Sequence, residues 1–347
     1  RAAALAAAGI TVVGWEPDAL DVLPEFGLRA MVHQPTPELA RRLAGHPALW
    51  GYFHCDEPWP EDTFPPIAAA LRQLREADPH HPTVVNLMST TGAYLRTFMR
   101  EIAPEVLSFD YYQWWWGSNR FFEKLEEFRQ EALLARVPLG SCIETNANPI
   151  SESGQRLCLP DNAAKLSHSV WANLAYGVKI IEWFNSGLVF EPQSDRLTPS
   201  GQHVAALNAE LRRLGPVLAG LQSLDVYHTP PLPRGTRQAP TEHWVQLAGE
   251  PARGGLVQGM FQDAAGTDYL LVANRDYQAP QSVAVELKSK WLGLAPWQKP
   301  KKHTYKVELF DRKTGEWLPI TSSSFVGFAF VVAAGGGELF RIHTRLE

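Results

Sequence analysis

Short apolar runs and amphipathic stretches take turns along the first two thirds of the chain. The runs fall at residues 11–15, 28–33, 49–55, 83–87, 106–111, 138–143 and 178–184, each of a length that suits a buried strand. Between and after them, residues 17–26, 37–43, 63–77, 94–102, 121–135, 162–176 and 200–218 read as helices. The pattern is clearest in Phe121-Phe122-Glu123-Lys124-Leu125-Glu126-Glu127-Phe128, where apolar residues lie three and four apart. Strands that alternate with helices pair in parallel, and the helices cover the sheet. Seven strands are counted, preceded by a helical stretch over residues 1–8. A closed (β/α)8 TIM barrel needs eight. If the leading helix is the barrel's first, the missing strand is the first one, and a segment ahead of Arg1 is expected. The fold class expected is therefore α/β, a (β/α)8 barrel over residues 1–222, with an open doubly wound sheet as the alternative.

After Gly220 the period changes from helical to alternating. Short runs at 243–247, 256–261, 269–274, 282–287, 304–310, 325–332 and 338–343 are separated by turn signals such as Asp263-Ala264-Ala265-Gly266 and Lys313-Thr314-Gly315. Such spacing predicts a small antiparallel β-sandwich over residues 223–347. Pro230-Pro231-Leu232-Pro233-Arg234-Gly235 reads as its linker, and Lys299-Pro300-Lys301-Lys302 as a solvated loop.

The stretch that organises the barrel is His46-Pro47-Ala48-Leu49-Trp50-Gly51-Tyr52-Phe53-His54-Cys55-Asp56-Glu57-Pro58. A buried strand runs into two adjacent carboxylates and stops at Pro58, which cannot donate to a ladder. Asp56 and Glu57 thus lie at a strand's carboxyl end, where barrels carry their chemistry. Counting the absent strand, this is the fourth. Glu144, in Gly140-Ser141-Cys142-Ile143-Glu144-Thr145, ends the seventh. Carboxylates at two strand ends facing one cavity are what glycosidic cleavage requires: one protonates the leaving oxygen, and the other attacks the anomeric carbon or activates water.

Other strand ends supply binding candidates: Trp15 and Glu16, His33 with Gln34, and Asn86. The run Asp110-Tyr111-Tyr112-Gln113-Trp114-Trp115-Trp116 adds Tyr111, Tyr112 and Trp114. Successive side chains diverge, so at least one of these tryptophans faces the cleft. The last strand ends in Glu182-Trp183-Phe184-Asn185.

The pairing of a strand-four glutamate with a strand-seven glutamate resembles clan A, the 4/7 superfamily of glycoside hydrolases. The resemblance spans residues 1–220, and the sandwich is like those appended to several members. It implies retaining hydrolysis of a β-linked glycoside by double displacement, with Glu57 as acid/base and Glu144 as nucleophile. It also implies an aromatic floor for the −1 sugar at the eighth strand, which is Trp183, or Phe184 if the register slips by one. Tyr111 or Tyr112 would bond the nucleophile. Asp56 departs from the family, which carries Asn there to contact the sugar 2-hydroxyl. An aspartate can accept that hydroxyl, and its charge raises the pKa of a neighbouring acid, so Glu57 and Asp56 both stand as proton donors.

Composition narrows the partners. The chain is 45% hydrophobic and 20% charged, which marks a folded protein. A net charge of -5 gives no reason to expect nucleic acid or an anionic membrane, and no run reaches the ~18 apolar residues of a membrane span. The three cysteines, Cys55, Cys142 and Cys158, have no metal-ligand spacing and no disulfide scaffold is expected; Cys55 and Cys142 fall inside predicted strands and read as small buried hydrophobes. His33 and His54 lack metal spacing too, and His54 is expected to bond between strand and helices. No metal or cofactor is expected, and the expected partner is a carbohydrate. A secreted or periplasmic place is favoured. Ser89 and Ser141 lack the nucleophile-elbow pattern. Two other readings fit the same strand ends: a barrel that binds sugar without cutting it, and a different barrel enzyme such as a lyase or metal-dependent hydrolase.

Overall fold

The computed structural model describes residues 1–15, 17–88, 90–116, 119–145, 162–250, 254–288, 303–320 and 327–346. The chain divides into two compact units. The first comprises Arg1–Gly117, Lys124–Arg156 and Val178–Ala209, and the second Ser118–Glu123, Leu157–Gly177 and Glu210–Glu347.

Seven strands build the first unit: β1 (Val12–Trp15), β2 (Arg29–His33), β3 (Leu49–Asp56), β4 (Thr83–Met88), β5 (Val106–Asp110), β6 (Leu139–Glu144) and β7 (Ile180–Phe184). They pair in parallel in the order of the chain. The helices of the chain are α1 (Ala2–Ala7), α2 (Pro37–Leu43), α3 (Phe64–Ala77), α4 (Gly92–Ile102), α5 (Gln113–Trp116), α6 (Phe121–Ala135), α7 (Asn162–Ala175) and α8 (Pro199–Ala219); α7 belongs to the second unit, as do the first three residues of α6 and the part of α8 from Glu210 on. Residues 17–26, which read as an amphipathic helix, form a 3-10 helix instead. Pro24 inside it has no N–H to give an α-helical ladder. Local signals set the other boundaries. The hydroxyls of Thr36 and Thr91 accept the backbone N–H of Leu39 and Tyr94, capping α2 and α4.

The parallel sheet is curled. Strands β3 and β7 stand four places apart, roughly 19 Å in a flat sheet at ~4.8 Å per strand. Yet the Asp56 charge at the end of β3 acts on Glu182 of β7. Together with its helices the unit is a half-barrel of the expected TIM type, with seven strands in sequence.

One face of β3 looks toward the helices. Tyr52 is buried, and its hydroxyl donates to Asp78 Oδ2 at 2.7 Å and to the Ala40 carbonyl at 3.2 Å. Asp78 is fully buried and satisfied by the His80 N–H and by His81 Nδ1 as well. Since side chains alternate, Phe53 faces the sheet's other side.

The second unit holds two antiparallel sheets. The larger runs in the order β14 (Trp317–Pro319), β13 (His303–Phe310), β16 (Gly337–Leu346), β11 (Asp268–Asn274), β10 (Leu256–Gln262) and β8 (Gln222–His228). The smaller is β15 (Gly327–Val332), β12 (Gln281–Leu287) and β9 (Val245–Ala248). Their inner faces share one core, in which Val245, Val283 and Val332 of the small sheet meet Met260, Leu270 and Phe340 of the large one. This is the expected sandwich. Two of its strands lie outside the alternating runs. A bulge between β8 and β10 interrupts the alternation that would mark β8, and β14 has only three residues.

A buried charge network ties β13 to β16. Glu308 accepts from Lys306 Nζ at 2.9 Å and Arg341 Nε at 2.9 Å, and lies 3.0 Å from His343 Nε2. Burial works to raise the carboxyl, but the bonds from Lys306, Arg341 and His343 outweigh it and hold it at about 2. A depressed carboxyl stabilises above its unfolded pKa and loses that stability as pH falls through the folded value. Glu308→Gln is expected to lower stability by about 1 kcal/mol at pH 7, allowing for solvent screening of the exposed partners. The deficit should vanish between about pH 4.5 and pH 2, read by urea melts across that range.

Candidate active site

The site begins with an irregularity in β3. Phe53 pairs with Val84, but Cys55 pairs with Val85, so His54 is an extra residue in the strand. One inserted residue reverses the alternation beyond it. Asp56 therefore shares a face with Phe53 and meets its partner Asn86, whose Nδ2 donates to Asp56 Oδ1 at 3.0 Å. His54 Nδ1 is buried without a hydrogen-bond partner, and burial lowers the ring's pKa.

Glu57 follows in the left-handed region, with φ 41°. A non-glycine residue there costs about 1–3 kcal/mol, and such residues gather at functional sites. Its N–H donates to the Asn86 carbonyl at 2.9 Å, which fixes the turn. The side chain is exposed and hydrogen-bonds the carboxyl of Asp110.

Asn86 is the hub beneath these acids. Its Oδ1 accepts from Ser108 Oγ at 3.2 Å, and Nδ2 also reaches Asp110 Oδ2 at 3.5 Å. Asp110 is buried at the end of β5. Burial, the hydrogen bond to Glu57 and the charges of Glu57 and Asp56 push its carboxyl up to about 8. Two carboxyls in contact share one proton, because both cannot ionise cheaply. Asp110 therefore keeps its proton at neutral pH. Asp110 is a site residue that the strand-end reading passes over, although it opens the Tyr-Trp run that supplies three candidates.

On the other side of β5 lie β6 and β7. Glu144 ends β6 with 1% of its surface exposed, and its Oε1 accepts the Trp114 backbone N–H at 2.8 Å. Cys142 pairs with Asp110 on one flank and Glu182 on the other. Burial, then the Glu182 charge, raises its thiol, so it stays protonated. Burial and then Asp56 likewise raise Glu182. The Tyr112 hydroxyl lies 3.5 Å from Cys142 Sγ, so it is Cys142 and not Glu144 that it touches. The Tyr112 ring stacks on Phe184 at 5.3 Å and lies 4.8 Å from Trp115.

The aromatic at the end of β7 is Phe184. It pairs with Glu144 in register and shares the face of Cys142 and Glu182, with 39% of its surface exposed. Trp183 alternates to the opposite face, where its Nε1 donates to Asn208 Oδ1 on α8 at 3.0 Å. The one-residue alternative stated above is the one this register places at the site.

The remaining candidates lie apart from this cluster or beside it. Trp15 ends β1, and Glu16 lies outside the described residues, as do Cys158 and the 299–302 loop. His33 ends β2, exposed, with its ring 4.9 Å from Phe53. It folds over Gly14, where a Cβ would come within 2.7 Å of its Nε2. Tyr111 is half-buried just beyond Asp110. Cys55 and Cys142 are free thiols. Among the described residues, no group of three His, Cys, Asp or Glu could hold a metal ion, and no helix is long and apolar enough to cross a membrane.

One sheet end thus gathers Asp56, Glu57, Asp110 and Glu182 with Asn86, Tyr112 and Phe184, and Glu144 closes β6 beside them. No family model matches the chain, and no curated protein matches its sequence. Solved structures do. A GH27 β-L-arabinopyranosidase from Geobacillus stearothermophilus aligns over 94% of this chain and 76% of that one, at TM-score 0.51 and 11% identity. A single-residue variant of that enzyme, solved in complex with arabinose, aligns over 95% and 78%, at TM-score 0.50 and 11% identity. An α-galactosidase from Saccharomyces cerevisiae aligns over 99% and 91%, at TM-score 0.51 and 9% identity. At such identities the likeness is one of fold. The chain shares their fold, a parallel half-barrel followed by antiparallel sheets, as the sequence resemblance implied.

Proposed function

We propose that this protein is a retaining glycoside hydrolase whose proton comes from the Glu57–Asp110 pair and whose nucleophile is Glu144. The supporting observation is the carboxyl pair itself: an exposed glutamate bonded to a buried aspartic acid at the mouth of a glycosidase fold. Glu57 presents the shared proton to the leaving oxygen. Glu144, fixed by the Trp114 N–H, attacks the anomeric carbon and forms the glycosyl-enzyme. Glu57 then takes a proton from water, and the hydroxyl cleaves that ester. Asp56 would orient a sugar hydroxyl while held by Asn86, and Phe184 with Tyr112 would floor the bound ring. Residues 1–222 form the catalytic part and 223–347 the accessory part in this reading. Incubation with a panel of oligosaccharides, followed by proton NMR of the first product, tests the proposal. Release of sugar with the anomeric configuration kept supports it; inversion, or no cleavage of any panel member, overturns it.

A further inference from the structure

Just past Glu57 the chain presents a large apolar surface to solvent. Trp59 is 65% exposed, an unusual state for the largest side chain. Single exposed apolar residues are ordinary, but this one is neither alone nor loose. One side of its ring rests on Tyr94, with centroids 5.1 Å apart and planes at 32°. Tyr94 is itself buried, edge-on to Phe64 at 5.0 Å, and its hydroxyl donates to the Pro58 carbonyl. The tyrosine thus grips the backbone between Glu57 and Trp59 and braces the indole. Met88, 43% exposed, ends the adjacent strand two residues beyond Asn86, whose carbonyl holds the Glu57 N–H. Trp59 and Met88 thus each follow, two residues on, a residue of the site, Glu57 and Asn86.

We propose that Trp59 is the stacking platform of a leaving-group subsite, so that the substrate carries a sugar ring on the Glu57 side of the scissile bond. A pyranose has an apolar face of C–H groups that covers an aromatic ring, while its hydroxyls stay wet at the edge. An indole already braced by Tyr94 loses little freedom when the ring lands on it. Its position follows from the chemistry. The acid protonates the oxygen that departs, so a surface two residues from Glu57 lies on the departing side of the bond. Phe184, at the end of β7, serves the other ring. The substrate class is then a disaccharide or longer, cut between two sugars. A glycoside of a small non-sugar alcohol would leave the platform bare.

This inference rests on the glycosidase reading, and binding separates the two. Glu144→Gln, which keeps the cavity and removes the nucleophile, is titrated by calorimetry with tetraoses of β-1,3- and β-1,4-linked glucose, β-1,4-linked xylose and α-1,6-linked galactose, and with the matching monosaccharides. Adding Trp59→Ala should weaken the best tetraose about 10-fold or more, or about 1.4 kcal/mol. Trp59→Phe should recover most of that loss, and the monosaccharide should bind alike in all three proteins. Because the side chain is mostly exposed, the melting temperature should not move. Equal tetraose affinity with and without the indole overturns the platform, even if the enzyme hydrolyses sugars. A platform effect without hydrolysis in the parent protein overturns the catalytic reading and with it the leaving-group assignment, and leaves Trp59 as a sugar-binding platform. Binding of none of these sugars overturns both.

Discussion

Glu144→Gln is expected to reduce hydrolysis by about 10^4-fold or more, the scale on which removal of a covalent nucleophile acts. Folding should be unaffected. The amide is the same size as the carboxyl, and its oxygen can still accept the Trp114 N–H that now bonds Oε1. The site is nearly sealed at this residue, so a water molecule does not simply replace the lost oxygen. What is lost is the negative charge and the lone pair that attack the anomeric carbon. Glu144→Ala makes the test positive as well as negative. It opens room for a small anion, and azide should then restore measurable turnover and yield a glycosyl azide of inverted configuration. A Gln variant that keeps more than a tenth of the parent kcat removes Glu144 from the reaction.

The half-barrel is legible in the sequence because its signal is long and redundant. Seven apolar runs, six helical stretches between them and a seventh after the last each carry their own period, and a slip in one leaves the others intact. Single side chains at strand ends have no such redundancy. Trp183 and Phe184 differ by one position, and one position is the difference between the site and helix α8. Tryptophan is the better sugar floor on chemistry alone, but the alternation of β7 decides which ring faces the site. Asp56 shows the opposite case. Counted back along an unbroken strand it would face away from Phe53, and only the extra residue at His54 turns it toward Asn86. A bulge leaves little trace in composition. Asp110 is in plain view as a strand-end acid, yet its importance comes from contact with Glu57, some fifty positions earlier in the chain. That pairing belongs to the order of strands β3, β4 and β5, and the separate runs do not announce it. Trp59 is hidden for a similar reason, since nothing in the sequence after Asp-Glu-Pro announces that Tyr94, thirty-five positions on, braces its ring from one side.

Asp110→Asn carries the second large effect, and its sign is opposite for rate and for stability. In the parent, the shared proton persists up to about pH 8 because Asp110 is buried beside Glu57 and Asp56. The alkaline limb of kcat/KM should lie near that value, as it reports the acid of the free enzyme. Replacing Asp110 by a neutral amide removes the proton reservoir and one like charge, so the limb moves toward the ordinary carboxylate range, about pH 4–5. At pH 7.5 the loss should be about 10³-fold, recovered in part by acidifying the assay. Stability moves the other way. A carboxyl whose folded pKa is raised above its unfolded value stabilises fully only at low pH, and that contribution is lost as pH climbs through the folded value. The parent should therefore weaken between about pH 4 and pH 8 by a few kcal/mol. The amide cannot ionise, and its N–H can still bond Glu57. The variant should show a flatter profile and the higher melting temperature at pH 8, a gain in stability at the expense of function. A kcat/KM limb that stays near pH 8 in the variant, or a parent no less stable at pH 8 than at pH 5, would mean that Asp110 and Glu57 do not hold the proton between them.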